Sequence, residues 1–317
     1  MKIIDTHCDA LYKLQNAKWN GEHLEFKTAE TLDTNLTRLE AGNVQVQFFA
    51  IFLEPDIASE RLWYAALEQI ELFHTEIIQK NPQMKHIRTW NELDDLQQGE
   101  IGAVLTLEGA ECLGTDLDKL QYLYEQGIMS IGLTWNHANL CADGAQEPRG
   151  GGLTVFGKEV VKMNNKFGVF TDVSHLCEQS FWDVMELADY PFASHSNARA
   201  VCDHPRNLND EQIKAMIERK APMHMVFAPY FVKEDGKQVT IYDLIKHMQH
   251  IVELGGKDII GLGSDFDGID EKIIDLEHAG QYQDFLVALE QHFTKEDVKK
   301  FTYENFMSHI PNTTSKK

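Results

Sequence analysis

Short apolar runs and longer stretches of helical period alternate along the whole chain. The runs are KIIDTHCD (2–9), VQVQFFAIFL (44–53), GAVLTLEG (102–109), IMSIGLTW (128–135), GVFTDVSH (168–175), PFASHS (191–196), APMHMVFA (221–228) and IIGLGSDF (259–266). Their length and their β-branched and aromatic content predict strands. Between them, SERLWYAALEQIELFHTEIIQ, DLDKLQYLYEQG, GKEVVKMNNKFG, SFWDVMELAD, NDEQIKAMIERK and TIYDLIKHMQHIVELGG place apolar residues at helical spacing. Several of these begin at Ser, Asp or Asn and stop at Gly, as capped helices do. The stretch TLDTNLTRLEAGN is only weakly helical, and QYQDFLVALEQHF and KEDVKKFTYENFMSHI add two helices after the last run. Eight strands in alternation with helices predict a parallel sheet, and eight close naturally into an α/β (β/α)8 TIM barrel. A doubly wound open sheet is the alternative, but its G-x-G-x-x-G fingerprint after the first strand is missing. No linker or composition shift divides the chain, so residues 1–317 read as a single domain.

Polar residues interrupt this pattern at one recurring place. The first run carries Asp5, His7 and Asp9 at alternate positions, which one face of a strand would share. A solvated edge strand is the ordinary explanation for that stretch alone; a pair of metal ligands at the end of a buried strand is the alternative. The other runs favour ligands. Glu108 closes the third run, His137 follows the fourth, His175 ends the fifth, His195 lies near the end of the sixth, and Asp265 ends the eighth. In a barrel these ends converge on the mouth where active sites are built. Carboxylates gathered there repel one another and are costly to ionise when buried, and divalent cations relieve both problems. Imidazole and carboxylate donors without thiolate point to zinc, manganese or iron.

The bulk numbers narrow the partners. With 43% hydrophobic and 25% charged residues the composition is that of a globular protein, and a net charge of −21 disfavours nucleic acid and anionic membrane surfaces. No apolar run is long enough to span a membrane and no secretory leader is evident, so a cytoplasmic protein is expected. The five cysteines are scattered, without a C-x-x-C pair, and read as reduced, buried thiols.

The chain resembles the membrane (renal) dipeptidases, the M19 metallopeptidases of the amidohydrolase superfamily. The similarity runs from DTHCD through LTLEGAE, LTWNHAN, GLTVFGKEVVKMNNKFGVFTDVSH and ASHSNARAVCDHPRN to GLGSDFDG. Singly these motifs are unspecific; in this order they are specific. The resemblance implies hydrolysis of free dipeptides, including those with a C-terminal D-residue, by a binuclear Zn2+ centre and a metal-bridging hydroxide. It implies that His7 and Asp9 bind one zinc, that Glu108 bridges the pair, and that His175 and His195 bind the second. It further implies that Asp265 touches the first zinc and handles the proton, and that His137 faces the substrate and stabilises the oxyanion. Arg206 would hold the substrate carboxylate and Tyr230 would contact the substrate, while Asp5 would support the ligands from behind. A homodimer is expected because family members often pair.

Some features depart from the mammalian pattern. The chain ends at PNTTSKK without a hydrophobic tail, so no lipid anchor is expected, and the family's late Gly-x-Asn motif reads Tyr303-Glu304-Asn305. The glycine-rich loop 138–152 is expected to help set substrate preference. Other readings are another amidohydrolase activity (deaminase, lactonase or phosphotriesterase) and a catalytically silent metal-binding barrel. GLGSDFDG is neither a phosphate loop, which Asp265 and Asp267 would repel, nor an EF-hand, since Leu276 stands where a bidentate Glu belongs.

Overall fold

The computed structural model describes residues 1–311. Among them are nine strands: β1 (Ile3–Asp5), β2 (Val44–Phe52), β3 (Met84–Ile87), β4 (Ile101–Glu108), β5 (Ile128–Gly132), β6 (Phe170–Asp172), β7 (Pro191–Phe192), β8 (Met223–Met225) and β9 (Ile260–Leu262). They belong to one sheet in the order β7-β6-β5-β4-β2-β1-β9-β8, with β3 added on β4. The pairs β1–β2, β1–β9, β3–β4, β4–β5, β5–β6, β6–β7 and β8–β9 are all parallel. Each expected run contains a strand, and helices separate them as the periodicity predicts. The extra strand, β3, has Lys85 and His86 at its half-buried centre, so its sequence lacks the apolar signature of the others.

The chain falls into two compact units. The first comprises Met1–Phe48 and Ala193–His309 and holds β1, the start of β2, β8 and β9. Its principal helices are Ala10–Trp19, Asp210–Arg219, Ile241–Glu253 and Tyr282–Leu289. The helix Ala10–Trp19 was not legible in the apolar spacing, because it buries Gln15 alongside Leu11 and Leu14. A capping box at Asn209 and Gln212 starts the helix Asp210–Arg219, satisfying backbone N–H groups that its first turn leaves open. Asn305, from the altered late motif, donates to the carbonyls of Lys257 and Ile260, both at 2.9 Å, and so ties the last helix to the entry of β9.

The second unit comprises Phe49–Phe192, with Ile310 and Pro311. It holds the end of β2 and β3 to β7, with the helices Ser59–Leu72, Leu117–Glu125, Val155–Phe167 and Glu178–Leu187. Thr154 caps Val155–Phe167 at its start, and Gly168, in the left-handed region at φ +68°, ends it. Cys177 packs and caps rather than reacts: its Sγ accepts the Ser180 N–H at 3.4 Å at the start of Glu178–Leu187.

Most strands are shorter than the apolar runs that announced them. In the runs of β1, β6, β7 and β9 the polar end leaves the ladder and becomes the loop that carries the candidate residue. His7, His175, His195 and Asp265 stand two or three residues past the ends of β1, β6, β7 and β9, whereas Glu108 is the last residue of β4.

Candidate metal centre

The first unit gathers its candidate ligands around the exit of β1. That strand lies between β2 and β9 and is no edge strand, and Asp5, His7 and Asp9 are all buried. Strict alternation does not continue to Asp9, because the chain turns there into the helix Ala10–Trp19. His7 Nε2 stands 3.3 Å from Asp9 Oδ2 and 3.7 Å from Asp265 Oδ1. Donors held about 2.0–2.2 Å from one zinc at tetrahedral angles would be about 3.3–3.6 Å apart; the first separation is in that range and the second just above it, and the three ligand atoms all lie within 4.8 Å of one another. His195 stacks its ring on His7, with centroids 3.9 Å apart.

Backbone geometry at Asp265 is strained to achieve this. Asp265 has φ +66°, a left-handed conformation that side-chain-bearing residues adopt at a cost, and its N–H donates to the His7 carbonyl at 3.1 Å. The predicted ligand His175 shares this property at φ +68°. Gly268 closes the SDFDG turn against the carboxylates. A Cβ there would overlap Asp9 Oδ2 and stand 2.8 Å from Asp265 Oδ1. Gly268→Ala should therefore push the two carboxylates apart and lower metal affinity by at least ~10-fold, with the fold retained. Equilibrium dialysis against zinc checks this, and unchanged affinity would show that the carboxylates need no such closeness.

Asp5 lies beside the His7 backbone and accepts from its neighbours. Its carboxylate receives the Ser264 N–H at 2.9 Å, Ser264 Oγ at 2.7 Å, Tyr282 OH at 2.8 Å and the His7 N–H at 3.3 Å. Burial pushes its carboxyl upward despite these four donors. Asp267, the second acid of SDFDG, faces a different environment. It accepts from the Asp33 N–H at 2.7 Å and the Thr34 N–H at 3.1 Å and pairs with Lys13 at 3.3 Å, so it anchors the turn that presents Asp265.

In the second unit, Glu108 and His175 meet: Glu108 Oε1 is 2.8 Å from His175 Nε2. Asn136 Oδ1 lies 2.9 Å from His175 Nδ1. As an acceptor it keeps the proton on Nδ1 and frees Nε2 for an ion. Ser194 Oγ, 2.6 Å from His195 Nδ1, likewise holds that ring in place. Neither Asn136 nor Ser194 was singled out from sequence. Both lie inside motifs that were, next to His137 and His195, and a histidine ligand's need for a partner on its second nitrogen is the signal that could have found them.

The expected substrate residues occupy varied settings. His137 is exposed and lines a cleft with Trp135 and Glu111. Tyr230, in the short helix Pro229–Val232, is 53% exposed. Arg206 is only 2% exposed, although a buried guanidinium is costly. Its Nη2 donates to the His195 carbonyl at 3.3 Å, and its head lies 5.4 Å from the Phe231 ring centroid, a cation–π arrangement that offsets lost hydration. The loop 138–152 is held rather than loose. Asn139 Oδ1 accepts from the Cys141 N–H at 2.7 Å, and Asp143 pairs with Arg149.

Comparison with known proteins now decides the lineage. The family model for membrane dipeptidase (peptidase family M19) matches residues 1–316. The chain belongs to that family. An uncharacterised dipeptidase of Schizosaccharomyces pombe is 30% identical over 305 residues, covering 90% of this chain and 73% of the relative. Among solved structures, a metallopeptidase from Rhodobacter sphaeroides, liganded with a phosphinate mimic of the dipeptide L-Ala-D-Ala, superposes with a TM-score of 0.91 at 26% identity over 98% of both chains. The dipeptidase AC, another M19 metallopeptidase, gives 0.90 at 27% identity, also over 98% of both. The fold is a (β/α)8 barrel, and the protein is a metallo-dipeptidase.

Proposed function

We propose that residues 1–317 work as one catalytic domain, a zinc-dependent dipeptidase that hydrolyses free dipeptides, L-Xaa-D-Xaa among them, with two ions per chain. The observation that carries this reading is the buried His7–Asp9–Asp265 trio, whose ligand atoms all lie within 4.8 Å of one another, close enough to share one ion. His7, Asp9 and Asp265 would hold the first ion; His175 and His195 would hold the second, with Glu108 shared between them. The two histidines gripped at Nδ1 by Asn136 and Ser194 suit that assignment. Bound divalent ions supply a water acidic enough to attack at neutral pH and a Lewis acid for the scissile carbonyl.

The chain's own groups do the rest. Asp265 accepts the nucleophile's proton and delivers it to the leaving amine. His137 donates a hydrogen bond to the oxygen that gains charge in the transition state. Arg206 holds the C-terminal carboxylate, and Tyr230 covers the substrate. We further place the protein in the cytoplasm as a homodimer. Five buried, unbridged cysteines suit a reducing compartment. On the helix Ser59–Leu72, Tyr64 is 71% exposed, an aromatic available to a second copy. No helix among the described residues is long and apolar enough to cross a membrane.

A screen of L,L- and L,D-dipeptides with zinc-loaded enzyme tests the activity. Cleavage of the L,D set is expected; inertness toward every dipeptide, with turnover of a lactone, phosphotriester or aminopyrimidine, would overturn it.

A further inference from the structure

The loop 195–208 carries His195 at its start and Arg206 near its end, and it closes on itself. The Leu208 N–H donates to the Asn197 carbonyl at 2.9 Å, and the Arg199 N–H to the Leu208 carbonyl at 2.8 Å. The helix Pro229–Val232, which carries Tyr230 and the Phe231 ring beside Arg206, has only four residues. A helix that short does not hold itself, and its end carbonyls find no partners within it. Buried side chains supply them. Asn207 Nδ2 donates to the Phe231 carbonyl at 2.8 Å, and Asn197 Nδ2 to the same carbonyl at 3.3 Å. Asn197 is itself fixed by the Val226 backbone, whose carbonyl it donates to at 2.9 Å and whose N–H it accepts at 3.2 Å. His247, from the helix Ile241–Glu253, joins the two pieces directly. Its Nδ1 accepts the Ala198 N–H at 3.1 Å, which leaves the ring proton on Nε2, donated to the Val232 carbonyl at 2.9 Å. Burial pushes this imidazole down to about 4 and keeps it in that neutral form.

We propose that Asn197, Asn207 and His247 are positioning residues for substrate binding: they fix the helix Pro229–Val232 against the loop 195–208, so that Arg206 and Tyr230 meet the substrate as one unit. The proposal rests on the substrate roles given to Arg206 and Tyr230. All three side chains are fully buried. Apolar residues would fill their places without the cost of burying polar groups. What the polar groups add is direction, because a hydrogen bond defines where the helix end sits more narrowly than apolar contact does. Phe231, whose carbonyl takes two of these donors, is also the ring 5.4 Å from the Arg206 head, so a shift of the helix end moves the guanidinium's support. Arg206 would hold a carboxylate remote from the scissile bond, alike in ground and transition states, so its displacement falls on KM rather than kcat.

The test measures kcat and KM of the zinc-loaded enzyme for L-Ala-D-Ala and its C-terminal amide, with hydrogen–deuterium exchange at residues 230–232, in the unmodified protein and in His247→Leu, His247→Gln and Asn207→Ala. His247→Leu and Asn207→Ala should each raise KM for the free acid by about tenfold, with kcat within about twofold and zinc content unchanged. The preference for acid over amide should shrink, and exchange at 230–232 should quicken. His247→Gln, whose amide can both accept and donate, should recover most of the loss. An acid-over-amide ratio unmoved in the folded variants, or kcat falling alike for acid and amide, overturns the proposal. If neither variant folds, exchange in the unmodified protein decides: protection at 230–232 matching that of the helix Ile241–Glu253 supports the proposal, and loop-like exchange overturns it. Equal rates for acid and amide on the unmodified enzyme would remove the Arg206 clamp separately. Exchange in the variants then decides the positioning role: acceleration confined to 230–232 supports it, and unchanged exchange overturns it.

Discussion

Glu108→Gln should abolish dipeptide hydrolysis, lowering kcat/KM by at least ~1,000-fold, more than the 10–100-fold typical of losing a partner behind a ligand. The substitution is isosteric, and an amide can still hydrogen-bond to His175, 2.8 Å away in the unmodified protein. The fold and the melting temperature should therefore change little. What is lost is charge. An amide oxygen is a weak ligand, and the proposed centre would need Glu108 as an anion to hold two cations. Loss of one ion with the other retained, measured by elemental analysis, is the expected pattern. Two retained ions with near-normal turnover would remove Glu108 from the shared position. His7→Ala, by contrast, deletes one donor from a single trio and should weaken one ion more than the other.

Arg206→Ala should erase the preference for a free C-terminus that the proposed clamp predicts. A dipeptide's carboxylate lies one residue beyond the scissile carbonyl, where a guanidinium can hold it with a forked, charge-assisted pair worth about 1.5–3 kcal/mol. The corresponding amide cannot accept that pair, so the unmodified enzyme should cleave an L,D-dipeptide about 10–150 times better than its amide. The variant should lose rate mainly on the free acid and leave metal content intact. Arg206→Lys should restore little, because an ammonium cannot reproduce the fork or the stacking on Phe231. Burial strengthens this expectation, since a guanidinium already out of water has less hydration to shed when the carboxylate arrives. Equal rates for acid and amide on the unmodified enzyme would exclude the clamp.

The architecture was readable because parallel, buried strands announce themselves as apolar runs, and caps and glycines punctuate the helices between them. Strand ends were less readable. VFTDVSH looks continuous, yet its ladder stops at Asp172 and His175 swings into a left-handed conformation three residues later. That strain depends on contacts from distant segments, such as the Ala145 N–H to the His175 carbonyl at 2.6 Å, which local pattern does not encode. β3 escaped notice because Lys85 and His86 break its apolar run, and Ala10–Trp19 because its buried face includes Gln15. The ligand candidates His7, Asp9, Glu108, His175, His195 and Asp265 stood out as chemistry placed at strand exits. Asn136 and Ser194 did not, because a polar side chain's service to a neighbouring ring appears only once the two rings' second nitrogens are located.

Zinc titration into chelator-treated protein, followed by L-Ala-D-Ala hydrolysis and by equilibrium dialysis on the same samples, bears most directly on the metal-dependent dipeptidase reading. Hydrolysis should be absent without metal, rise as zinc is added and reach its plateau at two equivalents per chain. Full activity in metal-free protein, or a plateau at one equivalent that a second ion leaves unchanged, would contradict the two-ion centre built from these six residues.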